Sequence, residues 1–295
     1  MVQLYTDHYF HIGNTHLTGG KPCQDYAISD VCNNAALAII SDGCSTGGHT
    51  DVGARILALS TATAIREHWI INQKAFSETI PLEISLNQKI VMTGTRQSLG
   101  LQLYDMLATC AYAYISPLGG FVHIQGDGVV ALKYQDEHIV MSRFDWDNNM
   151  PYYPAYSEDG LVNFIKEHGN NLNALRLNEE KRIQYADGKL SEPDIKRYTL
   201  SDGIRGITIN ISAETLSKLT FIAVFSDGVT QIDRLDWKNA VSKFMTFKNF
   251  AGEFAKRRMI RKIKDVQKIG KGPIDDIAYA VVRVEQMEIE EGNHE

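Results

Sequence analysis

Ala35-Ala36-Leu37-Ala38-Ile39-Ile40-Ser41-Asp42-Gly43 is the stretch on which the fold turns. Six apolar residues, branched at their centre, form a short run that suits a strand buried on both faces. The run stops at Ser-Asp-Gly, and an amphipathic segment follows. Thr50-Asp51 offers a helix cap, and Val52, Ile56, Leu59 and Thr63 recur at helical spacing through Thr50–Trp69. The expected unit is a buried strand, an acidic residue at its end, then a helix.

Further strand-like runs lie at Val2–Ile12, Ala108–Ile115, Gly120–Gln125, Val129–Tyr134, His138–Ser142, Leu219–Ser226 and Ile277–Val284. Leu86–Leu107 and Asn249–Lys268 read as helices. Four consecutive strands in mid-chain break the alternation that a doubly wound parallel sheet requires. Mixed sheets covered by helices on their outer faces fit better, an α+β fold. The stretch 145–202 is polar and carries Pro151, Pro154 and Pro193, so it reads as an irregular, flap-like excursion. No linker or repeat divides the chain, and 1–295 is expected to form a single domain.

Composition narrows the class. The chain has 295 residues, 44% of them hydrophobic, enough for a substantial core. Acidic residues outnumber basic ones by 36 to 30 with no Lys/Arg stripe, which argues against nucleic acid as a partner. No apolar stretch approaches the ~18 residues of a membrane span. Asp7, His8 and His11 stand where a signal peptide would be apolar, and Cys23, Cys32, Cys44 and Cys110 contain no C-x-x-C pair. Reduced thiols in a cytoplasmic protein are the expectation.

Asp-Gly occurs at Asp42, Asp127, Asp159, Asp187, Asp202 and Asp227. The dipeptide is a common turn, so context has to choose. Asp42, Asp127 and Asp227 each close an apolar run. Asp159 and Asp187 lie in polar surroundings, and Asp202 follows an alternating segment that suits an edge hairpin; these three read as turns. Carboxylates gathered at the ends of buried strands lose hydration and repel one another unless a cation compensates them. Oxygen-only donors suit Mg²⁺ or Mn²⁺.

Gln24-Asp25, Ser41-Asp42-Gly43, Gly126-Asp127-Gly128, Ser226-Asp227-Gly228-Val229 and Asp275-Asp276-Ile277-Ala278, in that order, resemble the signature of the protein phosphatase 2C family in its compact bacterial form. The resemblance implies a four-layer αββα sandwich, with two mostly antiparallel sheets flanked by helices and a variable flap. It also implies a metal-dependent serine/threonine protein phosphatase of signalling pathways, acting on phosphorylated proteins and paired with a serine/threonine kinase. Asp25, Asp42, Asp227 and Asp275, with the Gly43 carbonyl, would hold two Mn²⁺ or Mg²⁺ ions. Asp275 is favoured over Asp276 as the ligand, and Asp127 matches the position of a weaker third metal. Two such ions polarise a bridging water that attacks phosphorus in line, with Asp42 as the bridging ligand.

The chain departs from the family on the phosphate side. Many members place an arginine shortly before the first metal-binding aspartate, yet the first arginine here is Arg55. His16 and Lys21 are the candidate phosphate donors, each with a bland alternative as a local hydrogen-bonding residue or a solvated charge. Where some relatives carry a histidine after Asp-Gly, this chain has Cys44. His49 is then the nearest proton donor, or simply a residue near a helix start. A phosphatase-fold binding or regulatory module with weak or no catalysis is the alternative that these departures motivate.

Two rival chemistries fit less well. Gly43-Cys44-Ser45-Thr46-Gly47 matches a nucleophile elbow, but only one histidine follows His168, in the polar C-terminal stretch. Asp145-Trp146-Asp147 could form an aspartyl-phosphate, but nothing downstream completes that arrangement.

Overall fold

The computed structural model describes residues 2–72 and 79–287. In chain order the strands and helices are β1 (Val2–His11), α1 (Asn14–Gly19), β2 (Asp25–Cys32), β3 (Ala35–Gly43), α2 (Thr50–Asn72), α3 (Ile80–Leu99), β4 (Ala108–Ser116), β5 (Gly119–Gln125), β6 (Gly128–Tyr134), β7 (Ile139–Trp146), α4 (Leu161–Glu167), β8 (Leu175–Gln184), β9 (Asp194–Thr199), α5 (Leu200–Arg205), β10 (Ile207–Ser212), α6 (Ala213–Leu216), β11 (Leu219–Phe225), α7 (Trp237–Phe244), α8 (Phe254–Gln267) and β12 (Ile277–Gln286).

The strands form a seven-stranded sheet in the order β1-β12-β11-β6-β7-β8-β9 and a five-stranded sheet in the order β10-β5-β4-β3-β2. Neighbouring strands in both are antiparallel. Side chains alternate across each pleat, which divides the core into three. Ala36, Ala38 and Ile40 of β3 meet Ile222 and Val224 of β11 and Ala278 and Ala280 of β12 between the sheets. Leu37 and Ile39 of β3 turn outward against α2 and α3. On the far side, Phe225 and Tyr279 pack against α7 and α8 through Phe244 and Met259. The result is the expected αββα sandwich.

Several local readings need correcting. In α2 the buried face runs through Ala54, Leu57, Ala58, Thr61 and Ile65, while Leu59 is 47% exposed. Alanines let the helix approach the sheet closely, and their weak hydrophobicity hides that face from a pattern built on larger residues. The helix expected at Leu86–Leu107 starts earlier, with Pro81 in its first turn, and ends at Gly100 in the left-handed conformation.

The stretch 145–202 is not an irregular excursion throughout. β8 pairs with β7, and β9 with β8, extending the seven-stranded sheet to its edge. Asp187 does lie in the turn that joins them. Asp202 is not a hairpin residue: it forms a reciprocal cap with Thr199 at the start of α5. Among the described residues no helix is long and apolar enough to cross a membrane.

Candidate metal centre

Both sheets direct carboxylates to one end of the sandwich. Asp25 begins β2 and stands directly opposite Asp42, near the end of β3. Gly43 continues that ladder, its N–H donating to the Gln24 carbonyl at 3.2 Å. A Cβ on Gly43 would fall 2.7 Å from the Thr50 carbonyl oxygen and 2.8 Å from that of Gln24, so only glycine lets the three backbones meet here. Thr50 ties the following loop down: its hydroxyl donates to the Cys44 carbonyl and accepts from Gln24 Nε2.

The seven-stranded sheet supplies the opposite wall. Ser226, just past β11, accepts from the Ala278 N–H at 2.8 Å and donates to Asp25 Oδ2 at 2.6 Å. One hydroxyl therefore links the two sheets through a site carboxylate. Asp227 opens the next turn, and Gln231 Nε2 from the end of that turn reaches Asp227 Oδ2 at 2.9 Å and Asp275 Oδ2 at 3.3 Å. Asp127 sits in the link between β5 and β6, where the chain passes from one sheet to the other.

These residues enclose a cavity of about 250 Å³ lined by Asp25, Asp42, Gly43, Asp127, Asp227, Asp275 and His16, with Thr109, Gln231 and Tyr153. No lysine or arginine among the described residues lines it. Burial raises the pKa of Asp25, Asp42, Asp127 and Asp227, and the charge of neighbouring carboxylates adds to the effect in each. The hydroxyl of Thr109, opposite Asp42 on β4, is buried without a protein partner. Converging carboxylate oxygens with no lysine or arginine beside them are the donor chemistry of a hard divalent cation, so the residues fit Mg²⁺ or Mn²⁺.

The two acidic residues at 275 and 276 have different surroundings. Asp275 lines the cavity. Asp276 is buried, its oxygens taken by the N–H groups of Gly13 and Gln24, each at 2.6 Å, and by His16 Nδ1 at 2.8 Å. His16 therefore reaches the site. Lys21 and His49 are exposed and do not line the cavity; His49 touches Asp105 through its backbone N–H.

Sequence reasoning did not single out Ser226, Gln231, Tyr153 or Asp276 for what they do here. Ser226 was readable only as the residue before Asp-Gly. Tyr153 lies in a polar stretch with no periodicity to place it.

A family model described as protein phosphatase 2C matches residues 12–265. Among solved structures, the serine/threonine phosphatase Stp1 from Staphylococcus aureus is 10% identical with a TM-score of 0.55, covering 97% of this chain and 96% of that one. A bacterial serine phosphatase is 11% identical with a TM-score of 0.53, over 98% and 99% of the two chains. At such identity these likenesses speak to the fold. No curated protein sequence matches the chain.

Proposed function

Because this chain belongs to the protein phosphatase 2C family, the metal-dependent serine/threonine protein phosphatases, we propose that the carboxylate cavity is its catalytic centre. Asp25, Asp42, Asp227 and Asp275, with the Gly43 carbonyl, would hold two Mn²⁺ or Mg²⁺ ions, and Asp127 would hold a third. Held there, such ions would supply an acidified water as nucleophile and neutralise phosphoryl charge, so no covalent enzyme intermediate would be needed.

The chain's own residues have distinct parts in this. Asp42 faces Asp25 across the ladder and interacts with Asp227, which suits it to a bridging position. Ser226 fixes the Asp25 carboxylate, and Gln231 holds Asp227 and Asp275 together. Such supporting bonds orient ligands and set their affinity. The observation that carries the reading is the convergence of five aspartates from both sheets on a cavity that no lysine or arginine lines. A phosphate dianion would be repelled there until that charge is met, which makes substrate binding depend on the ions.

The substrates are phosphoproteins, and a serine/threonine kinase acting on the same proteins is the expected counterpart. The four cysteines are free, which suits the reducing cytoplasm. Hydrolysis of a phosphoserine peptide with and without Mn²⁺ tests the reading. Turnover that requires the ion supports it; binding of Mn²⁺ with no turnover on peptide or aryl phosphate would favour a non-catalytic module.

A further inference from the structure

His16 is 4% exposed, the buried residue of the short helix α1. Its Nδ1 lies 2.8 Å from Asp276 Oδ2, which also accepts the Gln24 N–H at 2.6 Å, while Oδ1 accepts the Gly13 N–H at 2.6 Å. Backbone N–H groups can only donate, so both oxygens of Asp276 act as acceptors. The imidazole therefore presents Nδ1–H to the carboxylate, which leaves Nε2 as the second functional atom of the ring. Nε2 makes no hydrogen bond among the described residues. The side chain nevertheless lines the carboxylate cavity, and a ring nitrogen of His16 lies within 4.8 Å of carboxylate oxygens of Asp275 and Asp276.

An imidazole whose one nitrogen donates to a buried carboxylate, on a side chain that lines a cavity of acidic oxygens, is the arrangement that orients histidine as a metal ligand. We propose that His16 Nε2 is a nitrogen ligand to the ion held by Asp275, with Asp276 as the positioning residue that fixes the ring. The assignment rests on the metal-centre reading above and adds to it a donor of a different chemical class. His16 then serves the metal and does not donate to phosphate. One imidazole among carboxylates shifts preference from Mg²⁺, which takes oxygen ligands, towards Mn²⁺ and the later divalent metals.

Pulsed electron paramagnetic resonance on the full chain loaded with Mn²⁺ reads this directly, because a bound imidazole gives ¹⁴N modulation that changes to ¹⁵N on labelling the protein with ¹⁵N-histidine. His16 is the sole imidazole that lines the cavity among the described residues, so the wild-type spectrum suffices if a variant does not fold. The expected result is label-sensitive modulation that disappears in His16→Gln, with Mn²⁺ affinity falling about 10- to 100-fold and Mg²⁺ affinity changing far less. Asp276→Asn should weaken Mn²⁺ in the same direction. Bound Mn²⁺ with no histidine modulation in the wild type overturns the assignment and leaves the proposed function standing. No bound Mn²⁺ at all overturns both.

Discussion

Asp25 and Asp42 are cross-strand partners, the first at the start of β2 and the second one residue from the end of β3. Like charges directly opposite on an antiparallel pair destabilise a sheet, and here Asp25 is only 2% exposed. A fold that holds both carboxylates face to face retains a local conflict that a bound cation would relieve. Stability of the metal-free protein and function of the loaded one should therefore respond in opposite directions to the same substitution.

Asp42→Asn should stabilise the protein in chelator by about 1 kcal/mol, the scale of a cross-strand charge pair, and abolish Mn²⁺-dependent hydrolysis. Thermal melts with chelator and with Mn²⁺ check this. The wild type should gain about 2.7 kcal/mol at an ion concentration ~100 times its Kd, and the variant much less. A variant that still hydrolyses phosphopeptide would remove Asp42 from the centre.

Ser226→Ala removes the donor to Asp25 and the acceptor for the Ala278 N–H together. A buried N–H left without a partner costs about 1–3 kcal/mol, and a ligand without its supporting bond loses about 10- to 100-fold in metal affinity. Urea unfolding and Mn²⁺ titration should show both losses.

Gln231→Leu separates the two effects. Gln231 is only half-buried and bridges Asp227 and Asp275 with its amide, so metal affinity should fall about 10-fold or more while stability changes by under about 0.5 kcal/mol. Calorimetric titration of Mn²⁺, set beside a urea curve, measures the two quantities.

His123, between β5 and β10 with Nδ1 2.9 Å from Thr208 Oγ1, has its pKa pushed down by burial to about 4. In the unfolded chain an imidazole titrates near ~6.5, so between these values the unfolded state binds more protons and stability rises with pH. The contribution is complete above about 6.5 and is lost as pH falls towards about 4, by about 3 kcal/mol in all. Comparing urea unfolding of wild type and His123→Gln across that range isolates it: the variant should show a shallower loss on acidification.

Asp25 and Asp275 came only with the family resemblance, whereas Asp42, Asp127 and Asp227 were legible in sequence because each closes an apolar run, and a buried strand announces its own end. The supports were not. Ser226 links the two sheets through its hydroxyl and Gln231 ties Asp227 to Asp275 through its amide, hydrogen bonds that leave no periodic trace. Strand β2 was missed because Asp25, Ser29 and Asp30 dilute its β-branched residues, and its position comes from pairing with β3. β8 and β9 carry Glu179, Glu180, Lys181, Arg182, Lys196 and Arg197, charged residues that suit an exposed sheet edge and leave β8 without hydrophobic alternation. β7 runs on to Trp146 because Phe144 and Trp146 are buried while Arg143 and Asp145 pair with each other on the other face.

Anomalous scattering from crystals soaked in Mn²⁺ tests the carboxylate centre most directly. Two strong peaks in the cavity, within bonding distance of Asp25, Asp42, Asp227 and Asp275, are the predicted result. Ions bound elsewhere, or an empty cavity at a Mn²⁺ concentration that supports turnover, would contradict it.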